Sequence, residues 1–137
     1  FKFVSQKSYV QSYAQNLNSW LRKADLVSTL LHTYKESGYK VIAWGAARTT
    51  HFFVQNTSMT YSYFDHIVDK YLSRKPANVL KCLPFKVDSP EVLRRLNGLP
   101  VVVFVGAIEY IDEITAECQC LLPNAVIVTP FTGTQDV

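Results

Sequence analysis

Apolar side chains recur through the first third of the chain at Val10, Tyr13, Leu17, Trp20, Ala24, Val27, Leu31 and Tyr34, in alternating steps of three and four. Such steps place all eight on one stripe of a helix. The pattern predicts a helix from about Ser5 to Glu36, stopped at Ser37-Gly38, where glycine takes the left-handed C-terminal position. The same spacing suits a coiled-coil seam. The stripe either lies across the domain that follows or docks a partner domain or a second copy. At 1.5 Å per residue this helix is about 48 Å long, more than a domain of this size needs.

From Gly38 onward the pattern shifts to short apolar runs separated by helical stretches. Tyr39 to Trp44 reads as a buried strand ending at Gly45, and residues 46–56 as a helix with Phe52, Phe53 and Val54 inward. Tyr63 to Val68 is a second strand ending at Asp69; residues 70–82, rich in Lys and Arg and containing Pro76, read as loop. Phe85-Lys86-Val87 is a short strand. Ser89 then caps a helix with Pro90 in its first position, carrying Val92, Leu93 and Leu96 to a stop at Asn97-Gly98. Val101 to Val105 is the most apolar run and should be central; residues 108–122 form a helix and 125–128 a last strand. Alternating strands and helices indicate a parallel sheet covered on both faces. Val101-Val102-Val103 and Val126-Ile127-Val128, apolar on both sides, suit buried parallel strands. The predicted class is α/β: a Rossmann-like three-layer fold with a mostly parallel five-stranded sheet. A long helix (1–37) precedes the α/β domain (38–137).

Length and composition narrow the class of protein. A chain of 137 residues suits one compact unit, and 48% hydrophobic with 18% charged residues excludes intrinsic disorder. The longest apolar run, residues 99–108, spans about ten residues where a membrane helix needs roughly 20, so no membrane segment is expected. The net charge of +3, from 14 basic and 11 acidic residues, is too mild to indicate nucleic acid. The chain opens on Phe1-Lys2-Phe3 with no charged-then-apolar signal segment, and reads as one domain of a longer protein. Cys118 and Cys120, two apart on a helix, point about 200° away from each other and cannot pair. With Cys82 they read as thiols in a reducing, cytoplasmic setting, with no metal set among them. The glycosylation triplet Asn56-Thr57-Ser58 is accordingly read as chance.

Open α/β sheets bind ligands at the carboxyl ends of their strands, near the point where strand order reverses. That edge collects Gly45-Ala46-Ala47-Arg48-Thr49-Thr50, then Asp69, then Val87-Asp88-Ser89, and Gly106-Ala107. In the first of these, backbone N–H groups and the helix dipole favour a phosphate. Gly45 permits the tight turn, Arg48 adds charge, and Thr49 and Thr50 bring hydroxyls. Asp69 stands 24 residues beyond Gly45, where an acid often binds a ribose hydroxyl pair. A full G-x-G-x-x-G is absent: Ala47 takes the second glycine's place and Thr50 the third's. This pattern fits a nucleotide or nucleotide-sugar phosphate better than a dinucleotide. Among the histidines, His51 alone falls near this edge, while His32 lies on the long helix and His66 in a strand. Glu109, Asp112, Glu113 and Glu117 are read as complementing the last helix's dipole. The basic stretch Lys70, Arg74, Lys75 follows Asp69 and could fold over an anion.

Five segments carry a family resemblance: the long helix; Gly38-Tyr39-Lys40-Val41-Ile42-Ala43-Trp44-Gly45-Ala46-Ala47-Arg48; Phe64-Asp65-His66-Ile67-Val68-Asp69; Val87-Asp88-Ser89-Pro90-Glu91-Val92-Leu93; and Tyr110-Ile111-Asp112-Glu113-Ile114. Together they resemble the C-terminal Rossmann-like domain of S-adenosylmethionine-dependent C-methyltransferases acting on nucleotide-linked sugars. The family's Lys-Gly after the first turn is Thr49-Thr50 here, and its Trp-Asn before the tyrosine is Ile108-Glu109. The resemblance implies a domain that contacts the nucleotide or sugar and orients the acceptor, with Gly106 and Glu109 on the ligand edge. Methyl-donor and catalytic residues would then lie elsewhere, so S-adenosylmethionine is implied for the full-length family and no cofactor for this segment. Two other classes stand beside this reading: a non-catalytic assembly domain using the Val10-to-Tyr34 stripe, and a redox or sensor domain holding a nicotinamide cofactor.

Overall fold

The computed structural model describes residues 6–46 and 48–130, with side chains from Leu17 onward and without that of Arg48. Its first element, α1, runs over Gln6–Glu36. Gly38 has φ +91°, and two main-chain bonds close the helix end: Gly38 N–H to Lys35 O and Tyr39 N–H to Tyr34 O, both 3.1 Å. The rings of Tyr34 and Tyr39, 4.9 Å apart, seal this cap from outside, the apolar contact that usually accompanies such an ending.

Four parallel strands follow: β1 (Lys40–Trp44), β2 (His66–Val68), β3 (Val101–Val105) and β4 (Val126–Val128), in the order β2-β1-β3-β4. β1 and β3 pair over their full lengths, from Lys40 opposite Val101 to Trp44 opposite Val105. Helix α2 (Arg48–Asn56) connects β1 to β2, and α4 (Ile111–Leu121) connects β3 to β4. The chain therefore steps outward from the central pair in opposite directions. With the single handedness that such crossovers share, the two connecting helices must lie on opposite faces, and they do. Ala24, Val27 and Leu31 of α1 and Phe53 of α2 join Val41, Ala43, Val102 and Phe104 on one face. Cys118 and Leu121 of α4 and Leu93 join Ile42, Trp44, Val103 and Val105 on the other. The strict alternation along β1 and β3 makes this a helix–sheet–helix sandwich.

The sheet has four strands rather than five. The segment expected as a strand at Phe85-Lys86-Val87 contributes a single parallel bridge, Asp88 with Val68. Asp88 N–H donates to Ile67 O at 2.9 Å and Asp69 N–H to Asp88 O at 3.1 Å. The next donor in a parallel ladder would come from residue 90, which is proline and has no N–H. β2 is also shorter than the 63–68 expected, because Tyr61–Tyr63 form a 3-10 turn. Asp65 then ties the chain to β1: its N–H donates to Val41 O at 2.7 Å, and its carboxylate accepts from Val41 N–H at 2.8 Å. The expected loop of 70–82 contains a 3-10 turn at Leu72–Arg74 and a single helical turn, α3 (Ala77–Leu80). Ser89 and Pro90 begin a helix as expected, but it is a 3-10 helix, Pro90–Leu96. A further 3-10 turn, Ile108–Tyr110, leads into α4.

Cys118 is buried and its burial pushes the thiol up to about 11, while Cys82 and Cys120 are exposed. The opposed directions of Cys118 and Cys120 follow the helical spacing. Among the described residues no helix is long and apolar enough to cross a membrane.

The core runs across the change of pattern at residues 37–38. Ala24, Val27 and Leu31 have no exposed surface, and Trp20 meets Phe52 of α2 edge-on at 6.2 Å. Leu17, on the same stripe, is 39% exposed. Leu31→Ala should therefore lower unfolding free energy by about 2–5 kcal/mol in urea titrations, and Leu17→Ala by no more than about 0.5 kcal/mol. Equal, small effects would mean that α1 is not part of the core.

Candidate functional site

The carboxyl ends of β1 and β3 lie side by side where the chain's direction of travel reverses, which is where open α/β sheets present a crevice. Gly45 leaves β1 with φ +104°, and a Cβ there would sit 2.9 Å from the Ala107 backbone nitrogen. Both the dihedral and the space require glycine. Gly106, leaving β3, has its N–H bound to Trp44 O at 2.9 Å, and a Cβ on it would run into the Thr50 hydroxyl. Thr50 is buried on α2 and donates to Gly45 O at 2.5 Å. Thr50 thus occupies the place of a third turn glycine because the neighbouring strand supplies the missing room. Gly45, Thr50 and Gly106, expected together at this edge, are brought together by direct contact.

Asp69 ends β2 and is half-buried. One carboxylate oxygen accepts from Ala46 N–H at 3.0 Å; the other accepts from Tyr71 N–H at 3.0 Å and Leu72 N–H at 2.8 Å. Gly45 N–H donates to Val68 O at 2.8 Å. The N–H groups of Gly45 and Ala46, two of the donors expected to face a phosphate, are therefore engaged inside the protein. The donors at this end that point along the helix belong to the first turn of α2, which Arg48 and Thr49 open. Thr49 is half-buried, and Ala47 lies outside the described residues.

Two helices begin at this edge with opposite electrostatic character. The first turn of α2 has no acidic residue. The approach to α4 carries Glu109 and its first turn carries Asp112 and Glu113, acids that already complement its dipole. Glu109 itself is exposed on the turn after β3.

The remaining candidates have partners of their own. His51 Nδ1 is 2.5 Å from the Tyr61 hydroxyl, and Tyr61 stacks on Phe85 with ring centres 4.3 Å apart. His66 Nδ1 lies 3.3 Å from Asp88, which Lys86 also approaches at 3.8 Å. Lys70, the first of the basic residues after Asp69, lies 3.7 Å from Glu117 of α4 in a half-exposed ion pair. Sequence reasoning missed the Thr50–Gly106 fit, since the two are 56 positions apart and only strand pairing brings them together. It also passed over Tyr71, which is exposed beside Asp69.

Fold and edge together define an α/β domain with a four-stranded parallel sheet and a tightly packed reversal point. Comparison with protein-family models, with curated proteins and with solved structures gives no match.

The Thr50–Gly106 fit gives a direct check. Gly106→Ala should destabilise the fold by about 1–3 kcal/mol through overpacking. In a Thr50→Ala background the same change should cost at least about 0.5 kcal/mol less, the signature of coupled neighbours. Equal costs in both backgrounds, read from urea titrations, would place the strain elsewhere.

Proposed function

We propose that this is a Rossmann-like accessory domain that binds a nucleotide or nucleotide-sugar, belonging to a C-methyltransferase-like or sugar-modifying enzyme. The observation that carries this reading is the contrast between the two helix starts at one crevice. The α4 start carries acids of its own, whereas α2 begins without any, with Arg48 and Thr49 in its first turn. A phosphate is held there by the first-turn N–H groups, the dipole and the Arg48 charge. Asp69 accepts three N–H bonds, and an ionised carboxylate offers about four acceptor positions, which leaves one for a ribose hydroxyl. The sequence resemblance supports the same ligand class and implies that methyl-donor chemistry lies outside this domain.

A thermal-shift panel of nucleoside diphosphates, nucleotide-sugars, nicotinamide cofactors and S-adenosylmethionine tests this. A ligand at 100 times its dissociation constant adds about 2.7 kcal/mol, a rise of several degrees in a domain of this size. The expected result is a shift with nucleotides or nucleotide-sugars, with affinity falling roughly tenfold or more in Arg48→Ala. No shift with any compound, or unchanged affinity in that variant, would overturn the assignment.

One observation favours a second role in assembly. The stripe that buries Ala24, Val27 and Leu31 continues to Leu17, which is 39% exposed. If that end of α1 docks another copy, Leu17→Asp should shift sedimentation to a slower species with the circular dichroism unchanged. A wild-type protein that sediments as a monomer would exclude self-association.

A further inference from the structure

Among the large apolar side chains described, Tyr71 is the most exposed, at 71%. A single exposed ring is ordinary; the stem on which this one stands is not. Its N–H donates to the Asp69 carboxylate at 3.0 Å, and Leu72 N–H donates to the same oxygen at 2.8 Å. Ser73 N–H returns to Asp69 O at 3.0 Å, and Arg74 N–H to Tyr71 O at 3.2 Å. Lys70, the residue before it, is drawn to Glu117. The backbone on both sides of Tyr71 is thereby fixed, while the ring faces solvent. The same carboxylate holds Ala46 N–H at the exit of β1, so the backbone that carries this ring is anchored at the crevice, two residues from Asp69.

We propose that Tyr71 is the stacking platform for the base of a nucleoside diphosphate or its sugar conjugate. The inference rests on the nucleotide reading above and narrows it: the ligand must carry an aromatic base and not merely a phosphate. In a nucleoside the base leaves the sugar carbon next to the hydroxyl that Asp69 is positioned to meet. A ring just beyond Asp69 therefore meets the base and not the phosphates, which lie toward α2. Stacking on an aromatic side chain tolerates any base because every base has a π-face. A tyrosine whose backbone is already ordered contributes that face with only two side-chain torsions to restrain.

Calorimetric titration of uridine diphosphate, adenosine diphosphate and inorganic pyrophosphate into the wild-type protein, Tyr71→Ala and Tyr71→Phe tests the assignment. Tyr71→Ala should weaken both nucleoside diphosphates by about tenfold, leave pyrophosphate unchanged and unfold at the same temperature. Tyr71→Phe should bind as the wild type does. In Tyr71→Trp, the nucleoside diphosphates should quench the new indole fluorescence and pyrophosphate should not. Undiminished nucleoside diphosphate binding in Tyr71→Ala overturns the platform while leaving the nucleotide reading intact, as does an equal loss of pyrophosphate. A wild-type protein that binds none of the three overturns the nucleotide reading and the platform with it.

Discussion

Adjacent strands in a sheet stand about 4.8 Å apart, and the two central strands of this one release their chains in opposite directions at the same end. Two backbones must therefore turn away from each other within a space that admits almost no side chains. Gly45 meets the Ala107 backbone there, and Gly106 gives its room to Thr50. The rest of the edge depends on this close approach. Thr50 is seated by its bond to Gly45 O, which sets where α2 begins and hence where its dipole is directed. A larger residue at either glycine would separate β1 from β3 at their ends or lift α2 from the sheet.

The polar groups of the edge divide between structure and availability. Gly45 and Ala46 spend their N–H groups on β2 and Asp69, and Asp69 spends most of its carboxylate on three main-chain donors. A buried or half-buried carboxylate with that many charge-assisted bonds is a strong organiser. It joins the exit of β2, the exit of β1 and the turn at residues 71–74 into one unit. A rigid rim of this kind suits binding, since little ordering remains to be done when a ligand arrives. The turn that follows is closed on Asp69 and Tyr71 by the N–H groups of Ser73 and Arg74, and Lys70 lies 3.7 Å from Glu117.

Much of the layer structure was legible because its signals are local and redundant. Consecutive β-branched residues at 101–103 and 126–128 mark buried strands, and Ser37-Gly38, Ser89-Pro90 and Asn97-Gly98 mark the ends of helical segments. The fifth strand was misread because Phe85-Lys86-Val87 has strand composition, yet Phe85 stacks on Tyr61, only Asp88 beyond the segment bridges to β2, and Pro90 has no N–H to carry the ladder further. The start of β2 was misread because Tyr61 and Tyr63, good strand residues, serve instead in a 3-10 turn. Tyr61 is held there by Phe85 and His51, and Tyr63 by Lys35. Tertiary partners decided those residues, and no window of sequence contains them. At the site, Gly45 and Asp69 were legible from their positions after strands. The dependence of Thr50 on Gly106 was not, since Thr50 looked like a departure from a glycine pattern until the neighbouring strand was in place.

The long helix belongs to the same argument. Its second half is core, and it is joined to the carboxyl-end edge of the sheet by two routes on one face. Trp20 packs against Phe52 of α2, the helix whose first turn faces the crevice. Lys35 donates to Tyr63 O and lies over the Tyr63 ring, 4.5 Å from its centre, bracing the turn that leads into β2 and Asp69. Both walls of the proposed nucleotide site are thus buttressed by α1, while Leu17 extends the same apolar stripe into solvent. A partner docked on that end would bear on α1 directly and on the α2 amino end through a single aromatic contact. The proposed assembly and the proposed nucleotide binding would therefore share one mechanical element and need not compete: the helix that would recruit the partner is the one that packs on α2 and braces the turn before β2.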